Sequence, residues 1–224
     1  MEYDAIIFTG GNLEGSFATE FLTKAYDNII SEKPFLAAAD SGLHFLYTHG
    51  IVPDLIMGDF DSVNPEALAW LESRHSDRMI RLNVMKDDTD TQAVVRTCLD
   101  RGKKKLALLG GTGSRIDHML ANLSLLLLAR EYGGELVLVD SHNRIRLLPH
   151  HTVITRDGSF GDYISFFPLN GCVSGLTLKG FVYPLEGKTL TAWDYGLTVS
   201  NRLAEETGSI TYSEGQLVMI EARD

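Results

Sequence analysis

The chain has 224 residues, of which 44% are hydrophobic and 22% charged, as is ordinary for a globular protein of one or two domains. Thirty acidic and twenty basic side chains give a formal net charge of −10, which argues against a general nucleic-acid binder because such proteins need a basic face. The most apolar stretch, residues 119–129, is too short to cross a bilayer, and the acidic start, MEYD, shows no basic leader. We therefore expect a cytoplasmic protein that binds neither membranes nor nucleic acid.

Short apolar runs alternate with helical patterns through the first two thirds of the chain, which is typical of an α/β fold with a largely parallel sheet. Asn64 and Pro65 predict a helix start, Asp88 or Thr89 can cap the next helix, and Gly102 ends it. The predicted strands cover residues 5–8, 35–39, 55–57, 79–82, 105–109 and 135–139. The predicted helices cover residues 14–30, a short stretch from 43, 65–74, a stretch ending at 102, and about 115–132.

The pattern changes near residue 145, after which short runs of β-branched and aromatic residues are broken by glycine. Examples are residues 152–155, 163–167, 209–212 and 217–220. Residues 201–206 alone offer a helical pattern there. We predict an N-terminal, mainly parallel α/β sandwich domain over residues 1–145 and a small all-β sandwich or barrel over 146–224.

Two aspartates follow the third predicted strand in residues 58–62, GDFDS. Asp59 and Asp61 would point to one side if the backbone were still extended there. Two carboxylates at such a short distance repel each other unless their charge is neutralised. The pair therefore suggests a bound cation, Mg²⁺ together with phosphate. Aspartate is also a common turn residue, so a solvated turn is the alternative. The two cysteines, Cys98 and Cys172, have neither metal nor redox spacing.

Polar residues and glycines follow five successive predicted strands. In open α/β sheets ligands bind beyond the carboxyl ends of the strands, so these five segments suggest a single site. They are Gly10 and Gly11, then Asp40, Ser41 and Gly42, then Asp59 and Asp61, then Lys86, Asp87 and Asp90, and finally residues 110–115, GGTGSR.

The glycine-rich segment at 110–115 supplies backbone N–H groups at a helix start, which suit a phosphate. It lacks the lysine of a Walker loop and the third glycine of a dinucleotide fingerprint. Arg115 adds a fork-shaped donor and Lys86 a point charge, although each alone is typical of a surface salt bridge. His118 either reaches the same pocket or caps and packs.

Taken in order, these segments resemble the thiamine pyrophosphokinase family. The matching segments are residues 40–42 (DSG), 58–62 (GDFDS), 86–90 (KDDTD), 110–118 (GGTGSRIDH) and 196–201 (GLTVSN), so the resemblance covers nearly the whole chain. It implies an α/β domain joined to a β domain that binds thiamine and dimerises. It also implies a homodimer with each active site between the α/β domain of one chain and the β domain of the other.

The resemblance implies roles for individual residues. Asp59, Asp61 and Asp90 would hold Mg²⁺, with Asp40 and Asp87 in the same pocket. ATP would lie at Ser41, Gly42, Gly110, Gly111, Thr112, Gly113, Ser114, Arg115, Asp117 and His118, with Lys86 and the five aspartates forming the catalytic set. Thiamine would meet Trp193, Ser200 and Asn201.

The implied reaction moves the β,γ-diphosphoryl group of ATP to the hydroxyethyl oxygen of thiamine and releases AMP. One aspartate would accept the hydroxyl proton, and the sequence does not identify which aspartate this is. The residues of the β domain leave alternatives open. Trp193 either offers a ring to thiamine or fills the β-domain core, and Asn201 either contacts thiamine or caps a short helix before Glu205.

The sequence is also compatible with two other functions. Asp59 and Asp61 after an apolar strand are also similar to the Asp-x-Asp of haloacid-dehalogenase-like phosphatases, in which the first aspartate is a covalent nucleophile. That motif normally follows the first strand, whereas here it follows the third. The other alternative is a nucleotide-binding module without catalysis.

Overall fold

Strands and helices alternate through the first part of the chain in a computed structural model that describes residues 2–27, 33–83, 87–113 and 115–224. The chain divides into two compact units, Met1–Ser141 and His142–Asp224. The first unit contains β1 (Ala5–Phe8), α1 (Gly15–Asp27), β2 (Phe35–Ala39), α2 (Leu43–Thr48), β3 (Leu55–Gly58), α3 (Pro65–His75), β4 (Met79–Arg81), α4 (Asp90–Asp100), β5 (Lys105–Leu109), α5 (Ile116–Glu131) and β6 (Glu135–Val139). The end of the first predicted helix, residues 28–30, lies outside the described residues.

The six strands of this unit run parallel in the order β4–β3–β2–β1–β5–β6. Ala5 of β1 is in register with Phe35 on one side and Leu106 on the other. The chain builds the sheet outward from β1 in one direction and then returns to add β5 on the opposite side. Such a reversal opens a crevice at the carboxyl ends of the two strands, where ligands bind in open α/β sheets.

Local sequence signals explain where the helices begin and end. The Oδ1 of Asn64 accepts hydrogen bonds from the backbone N–H of Glu66 and Ala67 and so caps α3, as predicted. Thr89, rather than Asp88, caps α4 by accepting from the N–H of Gln92. Gly102, with φ of +80°, ends that helix. Within the described ranges, no helix has the length and hydropathy needed to cross a membrane.

The second unit consists mainly of antiparallel strands, as the sequence predicts. Its elements are β7 (Asn143–Leu147), β8 (His151–Thr155), β9 (Tyr163–Pro168), β10 (Val173–Lys179), β11 (Leu185–Leu190), α6 (Tyr195–Thr198), β12 (Thr207–Thr211) and β13 (Leu217–Ala222). Strand β13 pairs with β7 and β9, and a second sheet has the order β11–β10–β12–β8. Side chains of both sheets, including Phe166, Leu176, Ile210 and Met219, share one buried core.

The helix suggested at residues 201–206 is wrong. Asn201 instead forms an isolated antiparallel bridge with Ile164. The helical turns come earlier, at 192–198, where Thr191 and Asp194 form a capping box: the Thr191 hydroxyl accepts from the N–H of Trp193, and the Asp194 carboxylate accepts from the N–H of Thr191. A Thr-x-x-Asp spacing is the sequence signal for that start.

Candidate functional site

Two glycine loops meet at the crevice between β1 and β5. The backbone N–H of Gly11 donates to Gly110 O at 3.0 Å, and that of Asn12 donates to Thr112 O at 3.0 Å. A Cβ on Gly11 would lie 2.1 Å from Gly110 O, and Gly110 itself has φ of +72°. These two positions therefore require glycine, because the backbones touch and one of them is left-handed.

Three carboxylates lie beside these loops. Oxygens of Asp40, Asp59 and Asp61 lie within 4.8 Å of one another. Asp40 follows β2 in a 3₁₀ turn, while Asp59 and Asp61 follow β3. Because neighbouring parallel strands end at the same edge of the sheet, the topology brings these side chains together. The chemistry of the group, three hard oxygen donors of like charge, fits a divalent cation such as Mg²⁺.

The convergence of Asp59 and Asp61 has a different cause from the extended backbone that the sequence suggested. Phe60, between them, is left-handed with φ of +66°, so the chain turns. The N–H of Asp61 donates to Asp59 Oδ1 at 3.1 Å inside this turn, and Ser62 Oγ donates to Asp61 Oδ1 at 2.7 Å. The backbone is therefore not extended at this point, and the two carboxylates meet through the turn instead.

Asp40 is held in an electrostatically unfavourable position. Burial raises the pKa of its carboxyl above the ordinary 3.8, and the charges of Asp90, Asp59 and Asp61 raise it further, against an opposing backbone hydrogen bond from Ser41. Among the described residues, its Oδ1 is buried without a hydrogen-bond partner. A buried, unpaired carboxylate oxygen facing other carboxylates is what a cation site requires, so the residues present fit a bound metal.

The segment 86–90 contributes Asp90 to the same region. Asp90 is the first residue of α4 and lines a cavity together with Asp40. Asp87 is exposed and does not line that cavity. Lys86 lies outside the described residues, as does Ser114. The three carboxylates that converge most closely are thus Asp40, Asp59 and Asp61, with Asp90 near enough to affect the pKa of Asp40.

We call the cavity that Asp40 and Asp90 share the glycine-loop cavity; its volume is about 410 Å³. Its lining brings together many of the residues predicted to bind ATP: Ser41, Gly110, Gly111, Thr112, Gly113, Arg115 and His118. Gly42 instead lines the adjoining cavity described below and lies against β1, where a Cβ on it would meet Phe8 O at 2.2 Å. Gly42 and Asp117 do not line the glycine-loop cavity.

Arg115 and Asp117 pair with each other at the start of α5. Arg115 Nη2 donates to Asp117 Oδ2 at 2.5 Å and Nε donates to Oδ1 at 3.1 Å. The hydrogen bonds from Arg115 lower the pKa of Asp117 to about 2. Both side chains are well exposed, so a phosphate that approaches Arg115 would compete with this carboxylate for the same fork of donors.

Several residues that support the site were not predicted from the sequence. Asn122 Nδ2 donates to Gly111 O at 2.8 Å, and Thr112 Oγ1 donates to Asp140 Oδ2 at 2.6 Å. Thr9 and Thr91 share a buried hydrogen bond of 2.8 Å. The sequence signal for Asn122 was a polar residue on the buried face of the apolar helix α5. The sequence offers no such signal for Thr9 or Thr91.

A second cavity, of about 760 Å³, adjoins the first. We call it the His49 cavity. Thr9, Gly10, Gly11, Ser41 and Ser62 line both cavities. Asp61 lines the His49 cavity and Asp40 the glycine-loop cavity, so the carboxylates lie where the two cavities meet. The further walls of the His49 cavity come from Leu13, His44, Phe45, Thr48, His49 and Val63.

The residues predicted to meet thiamine differ in exposure. Trp193 is 95% exposed, so the suggestion that it fills the β-domain core is wrong. Ser200 is exposed and left-handed, with φ of +56°. Asn201 is buried: its Oδ1 accepts from the N–H of Tyr183 and of Arg202, and its Nδ2 donates to Tyr183 O. The suggestion that Asn201 caps a helix is wrong, and its amide fixes the neighbouring chain instead.

Comparison with known proteins agrees with this architecture. The model of the family described as "Thiamin pyrophosphokinase, catalytic domain" matches residues 26–138, and that described as "Thiamin pyrophosphokinase, vitamin B1 binding domain" matches residues 150–217. The chain is 30% identical over 185 residues to the thiamine pyrophosphokinase of Bacillus subtilis, covering 83% of this chain and 86% of the relative.

Solved structures give the same result. A crystal structure of thiamine pyrophosphokinase from Bacillus subtilis matches with a TM-score of 0.83 and 28% identity over all of both chains. One from Geobacillus thermodenitrificans matches with a TM-score of 0.80 and 28% identity, covering all of this chain and 98% of the other. The matched models, the relative and the structures together show that this chain belongs to the thiamine pyrophosphokinase family.

Proposed function

We propose that this chain transfers the β,γ-diphosphoryl group of ATP to the hydroxyethyl oxygen of thiamine, giving thiamine diphosphate and AMP. The observation that carries the proposal is the group of Asp40, Asp59 and Asp61 beside the two glycine loops. Carboxylates that can hold a cation and backbone that can approach a phosphate closely are the two requirements of phosphoryl-group transfer. Membership in the family names the two substrates.

The carboxylates would hold Mg²⁺, with Asp59, Asp61 and Asp90 as ligands by resemblance and Asp40 added by its unpaired Oδ1. A bound Mg²⁺ would neutralise charge on the phosphates and orient them. Attraction to the cation would offset the repulsion among these carboxylates, so the charged arrangement that raises the pKa of Asp40 would become favourable.

Residues of the chain itself position the reacting groups. Attack at the β-phosphorus requires the thiamine oxygen and the leaving AMP oxygen to lie on opposite sides of it. The glycine loop before α5 offers backbone N–H groups, and Arg115 offers a guanidinium fork once it leaves Asp117. One of the aspartates accepts the proton of the thiamine hydroxyl as the new bond forms.

In this proposal the two parts of the chain bind different ligands. Residues 1–145 bind the nucleotide and the metal, and residues 146–224 bind thiamine through Trp193 and Ser200 and form a homodimer. Trp193 supports this because a fully exposed tryptophan offers a flat face to a cationic, aromatic ligand. Each active site then combines the α/β domain of one chain with the β domain of its partner.

Incubation of the purified chain with ATP, Mg²⁺ and thiamine tests the proposal. We expect thiamine diphosphate and AMP in equal amounts. Release of inorganic phosphate with a trapped aspartyl-phosphate would contradict it and indicate a phosphohydrolase, while binding of ATP without turnover would indicate a non-catalytic module. The position of the carboxylate pair already opposes the phosphohydrolase, since Asp59 follows β3 and not β1.

A further inference from the structure

His49 lies at the C-terminal end of α2 in a fixed tautomer. Its Nδ1 is 2.8 Å from Phe45 O and 3.2 Å from Thr48 Oγ1. A carbonyl oxygen can only accept, so Nδ1 must carry the hydrogen. In the neutral ring the other nitrogen, Nε2, is then an acceptor. Among the described residues, no hydrogen bond to that Nε2 is present.

The His49 cavity suits a flat heterocycle. Phe45, Leu13 and Val63 supply apolar walls, and the His49 ring packs against Phe45 in a tilted arrangement, with centroids 4.3 Å apart and planes at 34°. Pockets for small molecules combine such apolar walls with a few placed polar groups. The cavity reaches Asp61, so a molecule seated there would extend its reactive end to the carboxylates.

We propose that His49 Nε2 accepts a hydrogen bond from the exocyclic amine of an amino-substituted nitrogen heterocycle seated in the His49 cavity, an assignment that rests on the proposed function. Both substrates contain such a group: the adenine of ATP and the aminopyrimidine of thiamine. An oxo group at the same position would place an acceptor against an acceptor, so His49 selects the amino compound.

Paired substrates that differ only at this position test the assignment and identify its source. The first pair is ATP and inosine triphosphate, in which an oxo group replaces the 6-amino group. The second pair is thiamine and its 4-oxo analogue. For one of the two pairs, we expect the wild-type chain to favour the amino compound by about 10–100-fold in kcat/KM.

The substitution His49→Phe removes both ring nitrogens and keeps a ring against Phe45. Phe45 O still accepts from Thr48 Oγ1 and from the backbone N–H at position 49, so we expect the fold to survive. The preference for the amino compound should then fall below about threefold. His75→Phe is the matched control, because His75 also ends a helix and packs against an aromatic ring, Trp70, but lines neither cavity.

A second variant keeps the test decisive if His49→Phe does not fold. His49→Gln carries an amide that can rotate to offer either a donor or an acceptor. The kcat/KM for the amino compound should therefore remain, while the kcat/KM for the oxo analogue should rise toward it. If the variant loses the preference for ATP over inosine triphosphate, the cavity binds adenine. If it loses the preference for thiamine over its 4-oxo analogue, the cavity binds the aminopyrimidine. Unchanged preferences in a folded His49 variant would overturn the proposal.

Calorimetric binding of each compound alone separates this inference from the proposed function. If no thiamine diphosphate forms, the proposed function fails, but the affinities of ATP, inosine triphosphate, thiamine and its oxo analogue can still be compared in wild type and His49→Phe. An amino preference that disappears in the variant supports the role of His49. Affinities that are equal within each pair, or unaffected by the substitution, would refute it.

Discussion

Asp40, Phe60 and Ser200 share a backbone conformation that is uncommon for residues other than glycine. Their φ angles are +46°, +66° and +56°. Such conformations cost on the order of 1–3 kcal/mol each and persist only where the surroundings enforce them. Two of the three shape the carboxylate group, and the third lies in the segment that we propose binds thiamine. The strained positions therefore lie in the segments to which we assign function.

Replacing Asp61 with asparagine should abolish most turnover and leave the fold intact. Asp61 is exposed in a loop, so its removal leaves no cavity, but the site loses one charged ligand. We expect kcat/KM to fall on the order of 100-fold or more. Turnover and thermal melting would be measured side by side, with Asp77→Asn as the matched control because Asp77 is exposed and lines neither cavity. Wild-type turnover in Asp61→Asn would disprove the metal assignment, and unfolding would indicate a structural carboxylate.

Replacing Asp40 with asparagine should stabilise the metal-free chain while removing activity. The folded-state pKa of Asp40 is raised, so the folded chain binds this proton more tightly than the unfolded chain does. The free energy of unfolding therefore falls as pH rises above the ordinary value of 3.8. Asparagine mimics the protonated side chain and tolerates a left-handed backbone.

Melting curves of the two chains across pH check this expectation. Wild type and Asp40→Asn should melt together below the ordinary pKa, and at neutral pH the variant should melt about 2–4 °C higher. Added Mg²⁺ should raise the melting temperature of wild type more than that of the variant. A variant that melts lower than metal-free wild type at pH 7 would show that Asp40 is not destabilising.

The two glycine loops form a backbone-to-backbone contact that a single methyl group should disrupt. In Gly11→Ala the new Cβ would approach Gly110 O and Thr112 O, neither of which is a flexible side chain. We expect a loss of about 1–3 kcal/mol in the free energy of unfolding, together with weaker ATP binding. Gly15→Ala is the control for stability, since its Cβ meets nothing within 4 Å. Equal stability of the two variants would contradict the contact.

The β strands around Asn201 depend on its amide. Asn201→Ala would leave the N–H of Tyr183, the carbonyl of Tyr183 and the N–H of Arg202 without this partner. We expect a destabilisation of about 2–4 kcal/mol, measured by urea unfolding. Trp193→Ala should leave stability within about 0.5 kcal/mol because the ring is exposed. If instead Asn201→Ala keeps full stability and loses only thiamine affinity, its role is in binding.

Most helices and strands of this fold could be predicted from the sequence because their signals are local. Alternating apolar runs predict the strands, and Asn64, Thr89 and Gly102 mark helix ends by chemistry that acts within three or four residues. The short helical turn at 192–198 was missed because the flanking glycine and aromatic residues obscure its capping box. A helical period is difficult to recognise in a segment of only two turns.

The site was predictable in outline, and its detail was not. Strand ends that carry aspartate and glycine indicate a shared edge, which is why Asp40, Asp59 and Asp61 could be grouped in advance. The left-handed turn at Phe60 could not be predicted, since an aromatic residue there carries no local signal for that conformation. The pairing of Arg115 with Asp117 also depends on the three-dimensional arrangement.

At the scale of the whole molecule, the proposed shared site predicts complementation between inactive chains. Asp59→Asn damages the α/β half and Trp193→Ala the β half, so a mixed dimer contains one site with both halves intact. With free exchange at a 1:1 ratio, activity should recover to about one quarter of wild type. Trp193→Ala is preferred to Asn201→Ala because it should not unfold the strands. Differently tagged chains would show that exchange occurs; exchange without recovered activity would contradict a site shared between chains.

The position of β1 in the sheet also has a consequence for the timing of synthesis. Residues 35–39 provide one neighbour for β1, but its other neighbour, β5, begins only at Lys105. At about 5–20 residues per second, roughly 100 intervening residues take on the order of 5–20 s to emerge. The nascent chain spends that interval with one edge of the apolar strand AIIF unpaired. The backbone hydrogen bonds between the two glycine loops form only after Thr112 has left the ribosome.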